Sequence, residues 1–120
     1  MDSAAGHFEI WSNQLRKGVL ELCVLNDIRK RKMYGYEIMK RFARANGVFF
    51  GDGTIYRILR KLSRRGLVKT FVMKSPDGPQ RKHYKLTKKG EDAVRRMNAY
   101  WRAISSTTDS IKKGRKARRV

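Results

Sequence analysis

The side chains best suited to chemistry in this chain are cations, and they are concentrated in one segment. Between residues 57 and 89 the sequence holds twelve lysines and arginines against a single acid, Asp77. A lone lysine or arginine is usually a solvated surface charge, but twelve against one favour a surface that binds a polyanion. Nucleic acid is the first candidate for that partner. An anionic membrane surface is the second.

The whole chain shares this charge imbalance. Its 120 residues include 30 lysines and arginines and 10 acids, for a net charge of +20, and the first 111 residues alone carry +14. With 40% hydrophobic residues the chain can bury a core. Its length suits one compact domain and excludes an enzyme built from two domains around a cleft.

Few residues are placed for catalysis or metal binding. The histidines, His7 and His83, are far apart in the sequence, and the only adjacent acids, Glu91 and Asp92, suit the start of a helix. Cys23 lies in an apolar run and is interpreted as a small buried residue. The sequence has no glycine-rich phosphate loop, nucleophile motif or metal-ligand spacing. We therefore expect no enzyme, no metal site and no cofactor.

No part of the sequence is typical of export or of a membrane span. Residues 1–12 lack the basic start and apolar stretch of a signal peptide and are expected to be loose. No apolar run approaches the ~20 residues that a bilayer requires. We expect a cytoplasmic, nucleoid-associated protein.

Two helices are expected before the basic segment. The first begins near Ser12 or Asn13 and ends near Arg31, and its apolar residues form a face wide enough for burial on two sides. The second covers roughly 36–45.

A third helix is expected over 53–65, with Asp52 as its cap and Gly66 closing its end in the left-handed conformation. Its apolar residues recur at i, i+3, i+4 and i+7, namely Ile55, Ile58, Leu59 and Leu62. The other side carries Thr54, Arg57, Lys61 and Arg64, with Arg60 at the flank. An apolar face opposite a basic one is what a helix in the DNA major groove requires.

Two strands are expected next, at 67–74 and 81–87, separated by proline and glycine residues typical of a turn. The second strand alternates, so that one of its faces holds Arg81, His83 and Lys85. This pattern predicts a hairpin with one solvent-exposed, basic face. Such a hairpin would form a wing beside the third helix.

A last helix is expected from Lys88 to about Asp109, capped by Thr87 and ~30 Å long. Its apolar stripe comprises Val94, Met97, Trp101 and Ile104. So small a domain cannot cover its second half, which should therefore pack against a second copy together with the first helix. The tail after Ile111 is expected to be mobile.

The order of these elements predicts the fold. It is mainly α with a small β-hairpin, a winged helix-turn-helix (α-α-α-β-β-α) that dimerises through its first and last helices. The chain divides into a loose segment 1–12, a DNA-binding domain 13–87, a dimerisation helix 88–111 and a basic tail 112–120.

Three stretches of the chain also resemble the motifs of one family. They are Tyr34-Gly35-Tyr36-Glu37-Ile38; Gly53-Thr54-Ile55-Tyr56 with Leu59, Leu62 and Gly66-Leu67-Val68; and Gly78-x-x-Arg81-Lys82-His83-Tyr84-Lys85-Leu86-Thr87-x-x-Gly90. In order and spacing they look like the second helix, recognition helix and wing of the PadR-like winged-helix transcriptional regulators. The resemblance runs from about Leu15 to Ile104. The chain looks most like the small subfamily, whose members have one C-terminal dimerisation helix.

The resemblance implies a homodimeric repressor or activator on a pseudo-palindromic operator, with one recognition helix in each half-site. By position, Tyr56 would contact the DNA backbone, and Arg81 and Lys82 would reach phosphates from the wing. Nearest the groove would lie Thr54, Arg57 and Lys61. The complete set of expected DNA contacts is Tyr36, Thr54, Tyr56, Arg57, Arg60, Lys61, Arg64, Lys74, Arg81 and Lys82. The chain departs from the family pattern at Ser63, where an acid is common, and at His83, where a tyrosine is common.

Trp101 has two interpretations. In multidrug-responsive members of the family, a tryptophan at the matching place faces its dimer mate, and flat aromatic ligands stack between the pair. The alternative is plain dimer core, the usual role of a large aromatic residue in an apolar stripe. An effector space, if formed, would be lined by Val94, Met97, Asn98 and Ile104, with Trp11 nearby.

A second function stays open at this point. A winged-helix protein of this charge could be a DNA-architectural or fork-blocking protein without a small-molecule effector, since +20 gives strong sequence-independent binding. The ratio of specific to nonspecific DNA affinity distinguishes a transcriptional regulator from such an architectural protein. A membrane-binding module would need an exposed apolar helix face beside a basic one, whereas the apolar faces here have partners in the predicted fold.

Overall fold

The described part of the chain consists of three helices and one hairpin. The computed structural model describes residues 3–31, 37, 38, 40, 52–74 and 78–115. Helices span Ala4–Arg31, Asp52–Arg64 and Lys88–Lys112, here called the first, basic and last helices, and strands span Val68–Met73 (β1) and Arg81–Leu86 (β2). This arrangement confirms the predicted mainly α winged-helix fold. Of the expected second helix, positions 37, 38 and 40 are helical, and the remainder lies outside the described residues.

The first helix is longer than its apolar pattern predicted. It begins at Ala4 rather than near Ser12, so most of the segment expected to be loose is helical. Ser3 caps it, because its hydroxyl accepts a hydrogen bond of 2.9 Å from the N–H of Gly6. Ser3 followed by two alanines, the best helix formers, was the sequence signal for this earlier start.

The core is formed by the inner faces of all three helices and the hairpin. The first helix contributes five of the core's twelve buried hydrophobic residues, and the basic helix contributes Ile55, Leu59 and Leu62. Ile58 packs against the cluster, so the stripe predicted for the basic helix is confirmed. Val68, Tyr84 and Val94 tie β1, β2 and the last helix to the same cluster.

The basic helix ends as its sequence predicted. Gly66 adopts a left-handed backbone with φ +73° and donates its N–H to the Ser63 carbonyl at 3.0 Å. Leu67 donates to the Leu62 carbonyl at the same distance. This pair of bonds satisfies the last carbonyls of the helix and turns the chain directly into β1.

Thr87 caps the last helix and also ties it to the end of the basic helix. Its hydroxyl oxygen accepts from the N–H of Gly90 at 3.0 Å, while the hydroxyl donates to the Gly66 carbonyl at 2.6 Å. Lys89 adds a second link, donating from Nζ to the Arg65 carbonyl at 2.8 Å. Two hydrogen bonds therefore join the start of the last helix to the end of the basic helix at this junction.

The two strands form an antiparallel hairpin in the register that pairs Val68 with Leu86. Tyr84 is buried on its inner face. On the outer face, the rings of Phe71 and His83 stack with their centroids 5.5 Å apart. Tyr84 thus lies on the inner face as predicted, whereas His83 and Lys85 of the expected solvent-exposed face are half-buried. Positions 75–77 of the predicted turn lie outside the described residues.

The last helix extends beyond its predicted end near Asp109, to Lys112. Gly114 closes it with φ +73°, donating its N–H to the Ile111 carbonyl at 3.0 Å. The start of the segment 112–120, expected to be a mobile tail, is therefore capped helix. Loss of the apolar pattern did not end the helix, because glycine provides the cap and lysines suit its negative end.

The lone cysteine should be chemically quiet. Burial raises the pKa of the Cys23 thiol, and the nearby Asp27 carboxylate raises it further, so the reactive thiolate is scarce at neutral pH. We expect the folded protein to react with dithionitrobenzoate at least about tenfold more slowly than the same chain in concentrated guanidinium chloride. Equal rates for the folded and the unfolded chain would contradict the predicted low reactivity of Cys23. An alkaline rise in the rate of the folded protein would support it.

Candidate nucleic-acid interface

The basic helix turns an exposed edge away from the core. The residues on this edge are Tyr56, Arg57, Arg60, Ser63 and Arg64, and all of them are exposed. The three arginines stand at i, i+3 and i+7, spacing that aligns side chains along one side of a helix. A guanidinium group presents a planar set of donors that matches phosphate oxygens and the major-groove edge of guanine. This arginine edge, defined as Arg57, Arg60 and Arg64, has the chemistry that DNA requires.

Lys61 does not belong to the arginine edge. Its Nζ lies 3.1 Å from a carboxylate oxygen of Glu21 on the first helix, and only 40% of its side chain is exposed. Thr54 is also half-buried. Arg60, which the sequence placed at the flank and among the expected DNA contacts, is exposed. The reason is the first helix: its packing position decides which flank of the basic helix is covered, and the period of the basic helix alone does not contain that information.

The hairpin carries further exposed cations. They are Lys69, Lys74, Arg81 and Lys82. Lys85 is half-buried, with its Nζ 5.5 Å from the centre of the Phe71 ring, where a cation is attracted by the aromatic face. Tyr36, the remaining predicted DNA contact, lies outside the described residues. The described wing therefore adds four exposed positive charges to those of the helix.

One stretch of the first helix and one stretch of the last helix each expose several large apolar side chains. In the first half of the first helix, Phe8 and Trp11 are more than half exposed, and their ring centroids lie 6.1 Å apart. In the second half of the last helix the exposed residues are Tyr100, Trp101, Ile104 and Ile111. Both stretches include tryptophans named in the sequence analysis, Trp101 being 42% exposed and Trp11 51%.

Other residues predicted to share the space beside Trp101 are occupied within the chain. Val94 is completely buried in the core, and Met97 packs partly against it. The side-chain amides of Asn98 and Asn26 exchange two hydrogen bonds of 2.9 Å. Asn98 therefore joins the last helix to the first helix of the same chain, and Val94 belongs to the core. This corrects the expectation that the two residues line an effector space.

The described residues offer neither a membrane span nor a metal centre. None of the helices in the described ranges is long and apolar enough to cross a membrane. Histidine, cysteine and acidic side chains do not gather in groups of three that could hold a metal ion within those same ranges. Within the described residues, the exposed cations of the basic helix and the hairpin are therefore the main candidate for a functional site.

Comparison with known proteins gives consistent matches. The model of the transcriptional regulator PadR-like family matches residues 24–96. A transcriptional regulator from Streptococcus is 39% identical, with a TM-score of 0.76 over 82% of this chain and 97% of that one. A PadR-like transcriptional regulator from Bacillus cereus is 32% identical, with a TM-score of 0.75 over 82% of this chain and 95% of that one.

One solved structure includes DNA. Bacillus subtilis PadR in complex with operator DNA is 28% identical to this chain, with a TM-score of 0.55. The match covers 64% of this chain and 45% of that one. The shared fold thus occurs in a protein that was solved on its operator.

Proposed function

The chain belongs to the PadR-like family of transcriptional regulators, and from this premise we propose that it represses transcription as a homodimer on a pseudo-palindromic operator. As a member of this family it is a DNA-binding regulator and not an enzyme. In the proposed complex, residues 53–65 lie in the major groove and the wing over 74–85 contacts the backbone. An aromatic small molecule at the dimer interface releases the protein from DNA.

The arginine edge supports this proposal most directly. Its side chains are exposed on the side of the basic helix opposite Leu59, which is 1% exposed. A helix held by its apolar stripe and exposed along an arginine-rich edge can enter the major groove without disturbing the core. The exposed wing cations would then neutralise neighbouring phosphates, contacts that set orientation and not sequence preference.

The two exposed apolar stretches support a homodimer. A single soluble chain rarely leaves so many large apolar side chains in water unless a partner covers them. In a two-fold dimer, the last helix of each chain would cover its counterpart and the first half of the partner's first helix. Two recognition helices held in this way would meet half-sites one turn apart, ~34–36 Å along the duplex.

Replacing Trp101 by alanine tests the seam of this dimer. We expect Trp101→Ala to weaken dimerisation by at least about tenfold in sedimentation equilibrium, because it removes a large apolar contact between the copies. Arg96→Ala is a matched control on the same helix, since Arg96 is exposed and ion-paired only with Asp92 in the described structure. Sedimentation and response to flat aromatic ligands that both match the wild type would remove the role given to Trp101.

Fluorescence anisotropy tests operator recognition. The duplex upstream of the protein's own gene is compared with a scrambled duplex from low to physiological salt. We expect nonspecific affinity to fall steeply with salt, while a specific site keeps an advantage of about 10³ or more. Equal affinity for both duplexes would exclude this promoter as the operator. Equal affinity for all genomic fragments would favour the DNA-architectural or fork-blocking function instead.

A further inference from the structure

The outer face of the hairpin carries an imidazole ring that two contacts hold in place. His83 lies directly opposite Phe71 in the antiparallel register, and the two rings stack with an angle of 29° between their planes. Nδ1 of the same ring lies 3.1 Å from the carbonyl oxygen of Arg81. The stack fixes the plane of the imidazole, and the hydrogen bond fixes the direction of its two nitrogens within that plane.

The hydrogen bond also determines which ring nitrogen carries the hydrogen in neutral His83. A carbonyl oxygen accepts and cannot donate, so Nδ1 must bear the hydrogen. In the neutral ring, Nε2 then has a lone pair and acts as an acceptor. Protonation adds a hydrogen at Nε2 and makes this atom a positively charged donor, while the ring stays where it is.

Within the described residues, the charged groups that share the outer face with this ring are cations from both strands. They are Lys69 on β1 and Arg81 and Lys85 on β2. The helices pack against the opposite face of the hairpin, through Val68 and Tyr84. Asp77, the acid of the turn, lies outside the described residues. A face of this charge attracts the phosphates of a nucleic acid.

We propose that His83 is a further DNA contact of the wing and that it binds a backbone phosphate only when its ring is protonated. This proposal rests on the proposed function, in which the wing contacts the backbone. The neutral ring would bring the Nε2 lone pair against phosphate oxygens, which are also acceptors. The protonated ring instead donates a charge-assisted hydrogen bond to them. Because imidazole changes its charge between about pH 5 and pH 8, the affinity for DNA depends on pH in this range.

The direction of this dependence follows from proton linkage. The complex holds a proton on His83 at each wing, and the free protein lacks this proton whenever the ring is neutral. Protons and DNA therefore strengthen each other's binding, and the affinity for DNA falls as pH rises. Phe71 suits both charge states of the ring, because an aromatic face packs against a neutral imidazole and attracts a cationic one.

Fluorescence anisotropy of the full chain on a duplex of scrambled sequence tests this contact, because phosphate contacts do not depend on sequence. From about pH 8 to about pH 6 we expect the affinity to rise at least about fivefold, since each wing gains a charge-assisted hydrogen bond. The slope of log affinity against log salt should also steepen, by about 0.9 for each phosphate newly neutralised. The same salt slope at the two pH values would overturn the proposal.

Three variants assign the pH dependence to one side chain. His83→Tyr keeps a ring opposite Phe71 and replaces the titrating nitrogen by a hydroxyl that donates throughout this pH range, so the dependence should disappear. His83→Arg has a permanent charge and should bind at pH 8 about as tightly as the wild type does at pH 6. His7→Gln removes the exposed histidine of the first helix and should keep the full dependence. A dependence that persists in His83→Tyr, or is lost in His7→Gln, would overturn the assignment.

Comparison of the scrambled duplex with genomic fragments separates failure of this contact from failure of the proposed function. Preference for one fragment with an affinity that is the same at both pH values would overturn the role of His83 and leave the proposed function standing. An affinity that depends on pH but is equal for all fragments would contradict the proposed function and leave the contact standing.

Discussion

Replacement of both Arg60 and Arg64 by alanine should weaken operator binding at least about a hundredfold and leave thermal unfolding nearly unchanged. Each arginine that contacts a base edge or phosphate contributes about 1–3 kcal/mol, so two of them account for that loss. Both side chains are exposed on the side of the basic helix away from the core, and exposed substitutions of this kind rarely change stability by more than about 0.5 kcal/mol. Anisotropy and differential scanning calorimetry measure the two effects.

A charge-matched variant separates a local contact from the general attraction of a cationic protein. Arg95→Ala with Arg96→Ala also removes two exposed arginines, but from the last helix, where each pairs with an acid four residues earlier. We expect this variant to retain most of the operator affinity. Equal losses in the two double variants would mean that net charge, and not the arginine edge, determines binding.

Lys61→Ala should behave differently from both double variants. Because Lys61 is paired with Glu21 at 3.1 Å, its charge is already partly neutralised by the protein. We expect a smaller loss of operator affinity than Arg60→Ala causes. The ion pair is partly exposed, so its removal should also change stability only slightly.

Replacement of Gly90 by alanine should destabilise the fold by more than about 3 kcal/mol. A Cβ atom at this position would lie 2.0 Å from the carbonyl oxygen of Leu67, far inside van der Waals contact. Because the obstacle is backbone, no side-chain rotation relieves it, and the cost should exceed the usual ~1–3 kcal/mol of an overpacked site. The same carbonyl accepts the N–H of Thr87 at 3.1 Å, so moving it also disturbs the helix cap. Denaturant unfolding measures the loss.

Gly18 provides the matched control for this prediction. It also lies inside a helix, but a Cβ atom there would meet nothing within 4 Å. Gly18→Ala should therefore stabilise the protein by about 0.5–1 kcal/mol, because alanine loses less backbone freedom on folding than glycine does. The same substitution is thus expected to act in opposite directions at the two sites. Destabilisation of similar size at both would contradict the role given to the close approach at Gly90.

The features that could be predicted from sequence are those set by neighbouring residues. The stripe from Ile55 to Leu62, the left-handed Gly66 and the Thr87 cap all depend on spacings of a few positions, and the structure has them where expected. These signals required no knowledge of which elements meet.

The features that could not be predicted depend on contacts between distant segments. Lys61 pairs with Glu21, forty residues away, and Asn98 pairs with Asn26, seventy-two residues away. Periodicity gives the face of a helix but not the element opposite its flank, so neither pairing could be predicted from the sequence. The predicted start of the first helix was too late for a related reason. Phe8 and Trp11 are exposed, so their positions do not follow the core-facing pattern that marks the rest of the helix.

The junction at Thr87 has a mechanical consequence for regulation. Its hydroxyl bonds to both Gly66 and Gly90, and Lys89 donates to the Arg65 carbonyl, so the end of the basic helix is directly linked to the start of the last helix. The last helix is 25 residues long, and its first turn is attached to the part of the chain that carries the basic helix. In the proposed dimer, a small change in the crossing angle between the two last helices would alter the distance between the two basic helices. In that dimer, how well the two basic helices fit two half-sites would depend on how the two last helices pack against each other.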